Sequence, residues 1–165
     1  PGSFTGIRVG LATAKGMSLA AEIPLFGISS LAVLALSVGE PWVAVCLDAR
    51  HDEIYSALYK VEPDGSFEAV LVDSTQPFEE FKSQLTKAIE THSIDQLALV
   101  GDYAERVEWK VEPPLVVRAD ASVVPRMGAA IRALGKRLQT QAGDSVGALS
   151  PQYMRLTAAE RNQKR

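Results

Sequence analysis

Cysteine and histidine are scarce in this chain, and each shortage closes off a class of chemistry. The single cysteine, Cys46, can form no internal disulfide. It lies in the apolar run Val43-Ala44-Val45-Cys46-Leu47, where a small buried strand residue in a reducing cytosol is expected. The two histidines, His51 and His92, fall in separate turn-forming stretches with no His-x-Glu-x-His pairing, so no metal ligand set is expected. Ser3 has no histidine beside it in sequence to serve as a base. Basic residues are not in excess either: 17 Lys and Arg against 20 Asp and Glu give a formal net charge of -3, which argues against a free-standing nucleic-acid binder. No apolar run reaches membrane-spanning length without a Gly, Pro or charge, and no signal peptide opens the chain. A cytoplasmic protein without membrane attachment is expected.

What is present is a long apolar inventory and an unusual opening. With 47% hydrophobic residues in 165, the chain can bury one core or two small lobes sharing one. Pro1, Gly2 and Gly6 punctuate a loop in which Ser3 or Thr5 can cap a helix beginning near Thr5. Ile7, Leu11, Ala14, Met17 and Ala21 then recur at helical spacing, while Gly10 and Gly16 each cost about 1 kcal/mol against alanine. Close approach would offset that cost. Gly6, Gly10 and Ala14 form one small ridge and Ala12, Gly16 and Ala20 another, so the helix is expected to be sandwiched between neighbours. The alternative role for Gly2, Ser3, Thr5 and Gly6 is an anion site at the helix start, but the P-loop lysine and the three-glycine dinucleotide fingerprint are both missing. Capping is the expected role.

Further along, the run from Ile23 to Ile28 reads as a strand, Ser29 or Ser30 caps a short apolar helix to about Ser37, and Gly39-Glu40-Pro41 marks a lobe boundary. A hairpin follows, Trp42 to Leu47 and Asp52 to Val61 about a turn at Asp48 to His51, then a third strand from Phe67 to Val72. Phe78, Phe81, Leu85 and Ile89 predict a helix from Pro77 to Glu90; Leu97 to Asp102 and Leu115 to Val117 predict strands. Met127, Ile131, Leu134 and Leu138 stripe a last helix from Val124 to Leu138. Asp48, Asp52 and Glu53 could pair as carboxylates for acid-base work or a divalent ion, but Arg50 among them makes a plain surface salt bridge the expected reading. The basic tail, with Arg155, Arg161, Lys164 and Arg165, is expected to fray.

Three blocks carry a resemblance. Pro1 to Gly10 with Ala14-Lys15-Gly16 and Gly27-Ile28-Ser29-Ser30-Leu31, then Leu47-Asp48-Ala49-Arg50-His51-Asp52-Glu53-Ile54-Tyr55, then Ser150-Pro151-Gln152-Tyr153-Met154-Arg155, fall in order across the chain. Together they resemble the TsaB (YeaZ) family, non-catalytic relatives of the glycoprotease-like TsaD. His51 and Asp52 depart from that family's Met-Gly at the hairpin turn. The resemblance implies an α/β, actin-like ATPase (ribonuclease-H-like) two-lobed fold whose pattern begins upstream of Pro1, so the chain is expected to be an N-terminally truncated fragment. Residues 1–40 would be the remainder of the first lobe and 41–165 the second lobe.

It also implies a function: an accessory subunit, not an enzyme, that binds TsaD, with the ATPase TsaE, to form threonylcarbamoyladenosine in tRNA. ATP and metal would belong to those partners, and tRNA would be met only through the complex. In this reading Ile7, Gly10, Ala14, Met17 and Ala21 face the chain's own sheet. Arg8, Leu11, Ala12, Lys15 and Leu19 face the partner, or a second copy in a homodimer. The rival readings are a fragment of an actin-like kinase or ATPase, a peptidase of the M22 type, and a self-associating module without TsaD.

Overall fold

The computed structural model describes residues 2–104, 116–120, 127–140 and 142–154. Two compact units divide the chain: Pro1–Ile28 with Leu134–Arg165, and Ser29–Ala133. The first unit opens with helix α1 (Phe4–Ala21). The second holds α2 (Ser30–Leu36), β1 (Trp42–Arg50), β2 (Glu53–Val61), β3 (Phe67–Pro77), α3 (Phe78–His92), β4 (Gln96–Val100) and β5 (Val116–Asp120). Helix α4 (Met127–Thr140) runs across the division. The boundary expected at Gly39 to Pro41 is therefore displaced. Every residue of α2 from Leu31 to Leu36 is buried and the helix lies against β1 and β2, so it belongs with the sheet.

Five strands form one sheet in the order β3-β2-β1-β4-β5. β1, β2 and β3 are antiparallel neighbours, with Trp42 opposite Lys60 and Val61 opposite Phe67. β4 and β5 run parallel to β1 on its other side, with Val43 opposite Ala98 and Gln96 opposite Val116. The connection from β3 to β4 needs a crossover, which α3 supplies. α3 buries Phe78, Phe81, Leu85 and Ala88 against Ala44, Cys46, Ile54, Leu58, Leu97 and Leu99. By strand alternation Val43, Val45, Ala57 and Tyr59 point to the opposite face, the side on which α2 lies. β2 is thus buried on both faces.

Several expected elements shift. The run from Ile23 to Ile28 is not a strand: Leu25 O accepts from Asp144 N (2.8 Å) and Gly27 N donates to Asp144 Oδ2 (2.8 Å), so its backbone is satisfied by a loop. β3 runs on to Pro77 because its later half pairs with Glu53 to Ser56. His92 is the last residue of α3 and packs on Trp42, ring centroids 5.4 Å apart, not in a turn. On α4, Ile131 and Leu138 are exposed while Ala129 is buried, so the apolar stripe does not mark the buried face. Leu115, the start expected for α4 at Val124, and the tail from Arg155 onward lie outside the described residues.

Candidate docking surface

α1 starts as its sequence dictates. Ser3, in extended conformation, caps it by accepting from Gly6 N at 3.0 Å. A Cβ at position 6 would sit 2.8 Å from that hydroxyl oxygen, so Gly6 makes room for the cap. Of the residues weighed as an anion loop, Ser3 and Gly6 thus meet each other, while Gly2 and Thr5 lie exposed beside them. At the far end Glu22 turns left-handed (φ 54), and buried Ser18 donates its hydroxyl to Ile23 O at 2.6 Å.

Between those caps the helix is covered only along Leu11, Ala14, Lys15 and Ser18. Ser18 is its one buried residue, Met17 is 63% and Leu19 69% exposed, and nothing lies within 4 Å of a Cβ built on Gly10 or Gly16. This corrects the expectation of a helix sandwiched at its small ridges. No described strand belongs to the unit that contains α1, so the stripe of Ile7, Gly10, Ala14, Met17 and Ala21 has no sheet of its own unit to face. On the other stripe Arg8, Ala12 and Leu19 are exposed and Leu11 and Lys15 half-buried.

Arg8 is held in a way the spacing did not reveal. Its Nε donates to the Tyr153 hydroxyl at 2.6 Å. Its guanidinium carbon lies 3.8 Å from the centre of the Phe4 ring and 5.4 Å from that of Tyr153. The two rings are themselves 5.2 Å apart. Tyr153 belongs to the closing sequence block and Phe4 and Arg8 to the opening one, so the coincidence of two blocks was the available signal. A second contact joins the same two regions: Asp144 pairs with Arg137, whose Nη1 donates to Gly27 O at 3.1 Å.

The hairpin acids do not assemble into a site. Asp48 N donates to Asp102 Oδ1 (2.7 Å) and Arg50 N to Asp48 Oδ1 (2.6 Å), so two carboxylates close the turn on its own backbone. Asp52 is exposed and Glu53 half-buried in β2. Among the described residues no three His, Cys, Asp or Glu are grouped to hold a metal ion. His51 is exposed at the tip of this turn. Burial pushes the Cys46 thiol far up, which keeps it protonated and unreactive. Among the described residues no helix is long and apolar enough to cross a membrane.

Three antiparallel strands followed by two parallel ones, with helices on both faces, define this as a mixed α/β protein of the actin-like ATPase type. A solved structure from Pseudomonas aeruginosa, described as an uncharacterized protein with similarity to peptidase YEAZ, superposes with a TM-score of 0.70 at 25% identity over 94% of this chain and 70% of its own. A family model described as TsaD, tRNA N6-adenosine threonylcarbamoyltransferase, matches residues 1–162, and the chain belongs to that family, in its TsaB (YeaZ) branch. The tRNA threonylcarbamoyladenosine biosynthesis protein TsaB of Escherichia coli K12 is 41% identical over 69 residues, 39% of this chain and 30% of that protein. The Bacillus subtilis protein of the same name is 28% identical over 182 aligned positions, 97% of this chain and 68% of that protein. The match thus spans under a third of the first relative's length and about two thirds of the second's.

Proposed function

We propose that this chain serves the formation of N6-threonylcarbamoyladenosine in tRNA as an accessory subunit, docking α1 against a TsaD-type partner in a complex that also engages TsaE. The observation that carries this reading is the exposure of α1, an 18-residue helix with capped ends whose Leu19, Met17 and Val9 are more than half exposed. Only the stripe of Leu11, Ala14, Lys15 and Ser18 is partly covered, and the exposed apolar residues outside it call for a covering surface. In this reading the transfer chemistry belongs to the partner: the Asp48 and Asp102 carboxylates accept from backbone amides, and among the described residues no three His, Cys, Asp or Glu are grouped to hold a metal ion. ATP and the metal fall to the partners. The RNA would be reached through the assembly, and in a partner's absence a second copy could cover the same helix.

The test is co-purification with cognate TsaD, with tRNA modification assayed beside it. Leu19→Glu places a charge on the exposed face and should abolish both complex and activity while the thermal unfolding profile stays unchanged. ATP turnover or peptide hydrolysis by the chain alone would overturn the assignment to an accessory role.

A further inference from the structure

Arg8 and Lys15 are the charges of α1, and the helix carries no acidic residue from Phe4 to Ala21. The ion pairs among the described residues are Lys60 with Glu62, Lys82 with Glu79 and Arg137 with Asp144; neither cation of α1 has one. This basic helix belongs to a chain of net charge -3, so the asymmetry is local. Seven residues along a helix are about 10.5 Å, two turns, so Arg8 and Lys15 lie on nearly one line.

Arg8 is also pinned. Phe4 and Tyr153 flank its guanidinium and the Tyr153 hydroxyl takes Nε, which leaves the two terminal nitrogens of this exposed side chain as a fork with no partner among the described residues. Such a fork matches a carboxylate in two parallel hydrogen bonds, and fixing it beforehand lowers the ordering cost of docking.

Resting on the docking role proposed above, we infer that Tyr153 is a positioning residue that holds Arg8 for a partner helix presenting carboxylates two turns apart, opposite Arg8 and Lys15. A second copy is the poorer occupant. The acid nearest α1 is its single cap residue Glu22, so no register of one α1 on another gives both cations a counter-charge, whereas an acidic helix pairs both. The two assemblies therefore respond differently to salt: screening weakens the acidic partner's complex far more than self-association through α1.

Association of the full chain with cognate TsaD, followed from about 50 mM to about 1 M salt, tests this. Wild type should associate roughly tenfold faster at the low end than Arg8→Gln, with the difference lost at the high end. Tyr153→Phe keeps the ring and loses the hydroxyl; it should fall about threefold and add nothing in the Arg8→Gln background. A merely structural role for Tyr153 would instead show equal losses with and without Arg8. A salt-insensitive complex, or full-rate binding by both variants, would overturn the inference and leave the docking role standing. No complex in wild type at any salt would overturn both. Self-association that weakens with added salt as steeply as the TsaD complex would also sink it, since a second copy would then satisfy the two cations as well as an acidic helix does.

Discussion

Gly101 closes β4 at φ +112, and a Cβ there would lie 2.3 Å from Cys46 O and 2.9 Å from Leu47 Cδ2. The carbonyl it would strike also accepts from Tyr103 N at 3.2 Å, so the backbone cannot yield without losing that bond. Overlap with fixed backbone and a left-handed φ each cost about 1–3 kcal/mol, and Gly101→Ala is expected to lose roughly 3 kcal/mol or more in urea unfolding. Unchanged stability would mean that the β1–β4 junction is looser than these distances imply. The hairpin turn is the opposite case. Arg50, His51 and Asp52 all have positive φ, 64, 55 and 60, where side chains are disfavoured. Asp52→Gly relieves one of the three and should raise stability by about 0.5 kcal/mol, net of the added freedom of the unfolded chain. Loss of stability instead would assign the Asp52 carboxylate a role the turn geometry does not show. At this scale the sequence was legible only where a residue's own chemistry decided the matter, as with the Ser3 cap. Nothing in Arg50, His51 and Asp52 announced three positive φ values in a row, and nothing local to Gly101 announced that another strand's carbonyl lies against it.

Elements were read best where one apolar face meets one surface. α3 shows this: of the expected stripe Phe78, Phe81 and Leu85 are buried and Ile89 half-buried, with Ala88 buried beside them. α1 shows the limit, since spacing told which residues share a face but not whether anything covers it. The run from Ile23 to Ile28 was read as a strand because its breakers and apolar residues suit one; Asp144, 117 residues from Gly27, decides otherwise. For α2 the choice between Ser29 and Ser30 as cap was open in the sequence, and the structure selects Ser29, whose Oγ accepts from Leu31 N at 3.1 Å and Ala32 N at 3.4 Å. The same hydroxyl donates to Asp73, which also receives the Tyr59 hydroxyl, so the cap ties α2 to strands β2 and β3. Ser29→Ala removes the cap and one donor to a half-buried carboxylate, and should cost about 2 kcal/mol. Ser30→Ala, at an exposed site, should cost about 0.5 kcal/mol or less. Equal effects in chemical denaturation would refute the assignment of the cap.

For the molecule as a whole, the buried titratable groups of the sheet set an alkaline limit. Burial raises the Cys46 thiol from its ordinary 9.0, and burial with the Asp73 hydrogen bond raises the Tyr59 phenol from its ordinary 10.0. Both groups are neutral when protonated, so the folded state holds its proton more tightly than the unfolded state does. A raised folded value contributes stability that is complete below the unfolded value and is lost as pH climbs past it. Unfolding free energy should therefore be flat with respect to these groups up to about pH 9, then fall, each group adding a slope of up to about 1.4 kcal/mol per pH unit. Lys60, raised by its hydrogen bond to Glu62, points the same way, but it is exposed and solvent screens it. Cys46→Ala separates the contributions. The substitution leaves a small cavity between α3 and the sheet and lowers stability at every pH, yet it removes the titrating thiol, so the decline should begin about one pH unit later, where Tyr59 takes over. Urea unfolding of both proteins across pH 7 to about 11 reads this directly, and an unchanged onset in Cys46→Ala would show that the thiol is not what ties this fold to neutral pH.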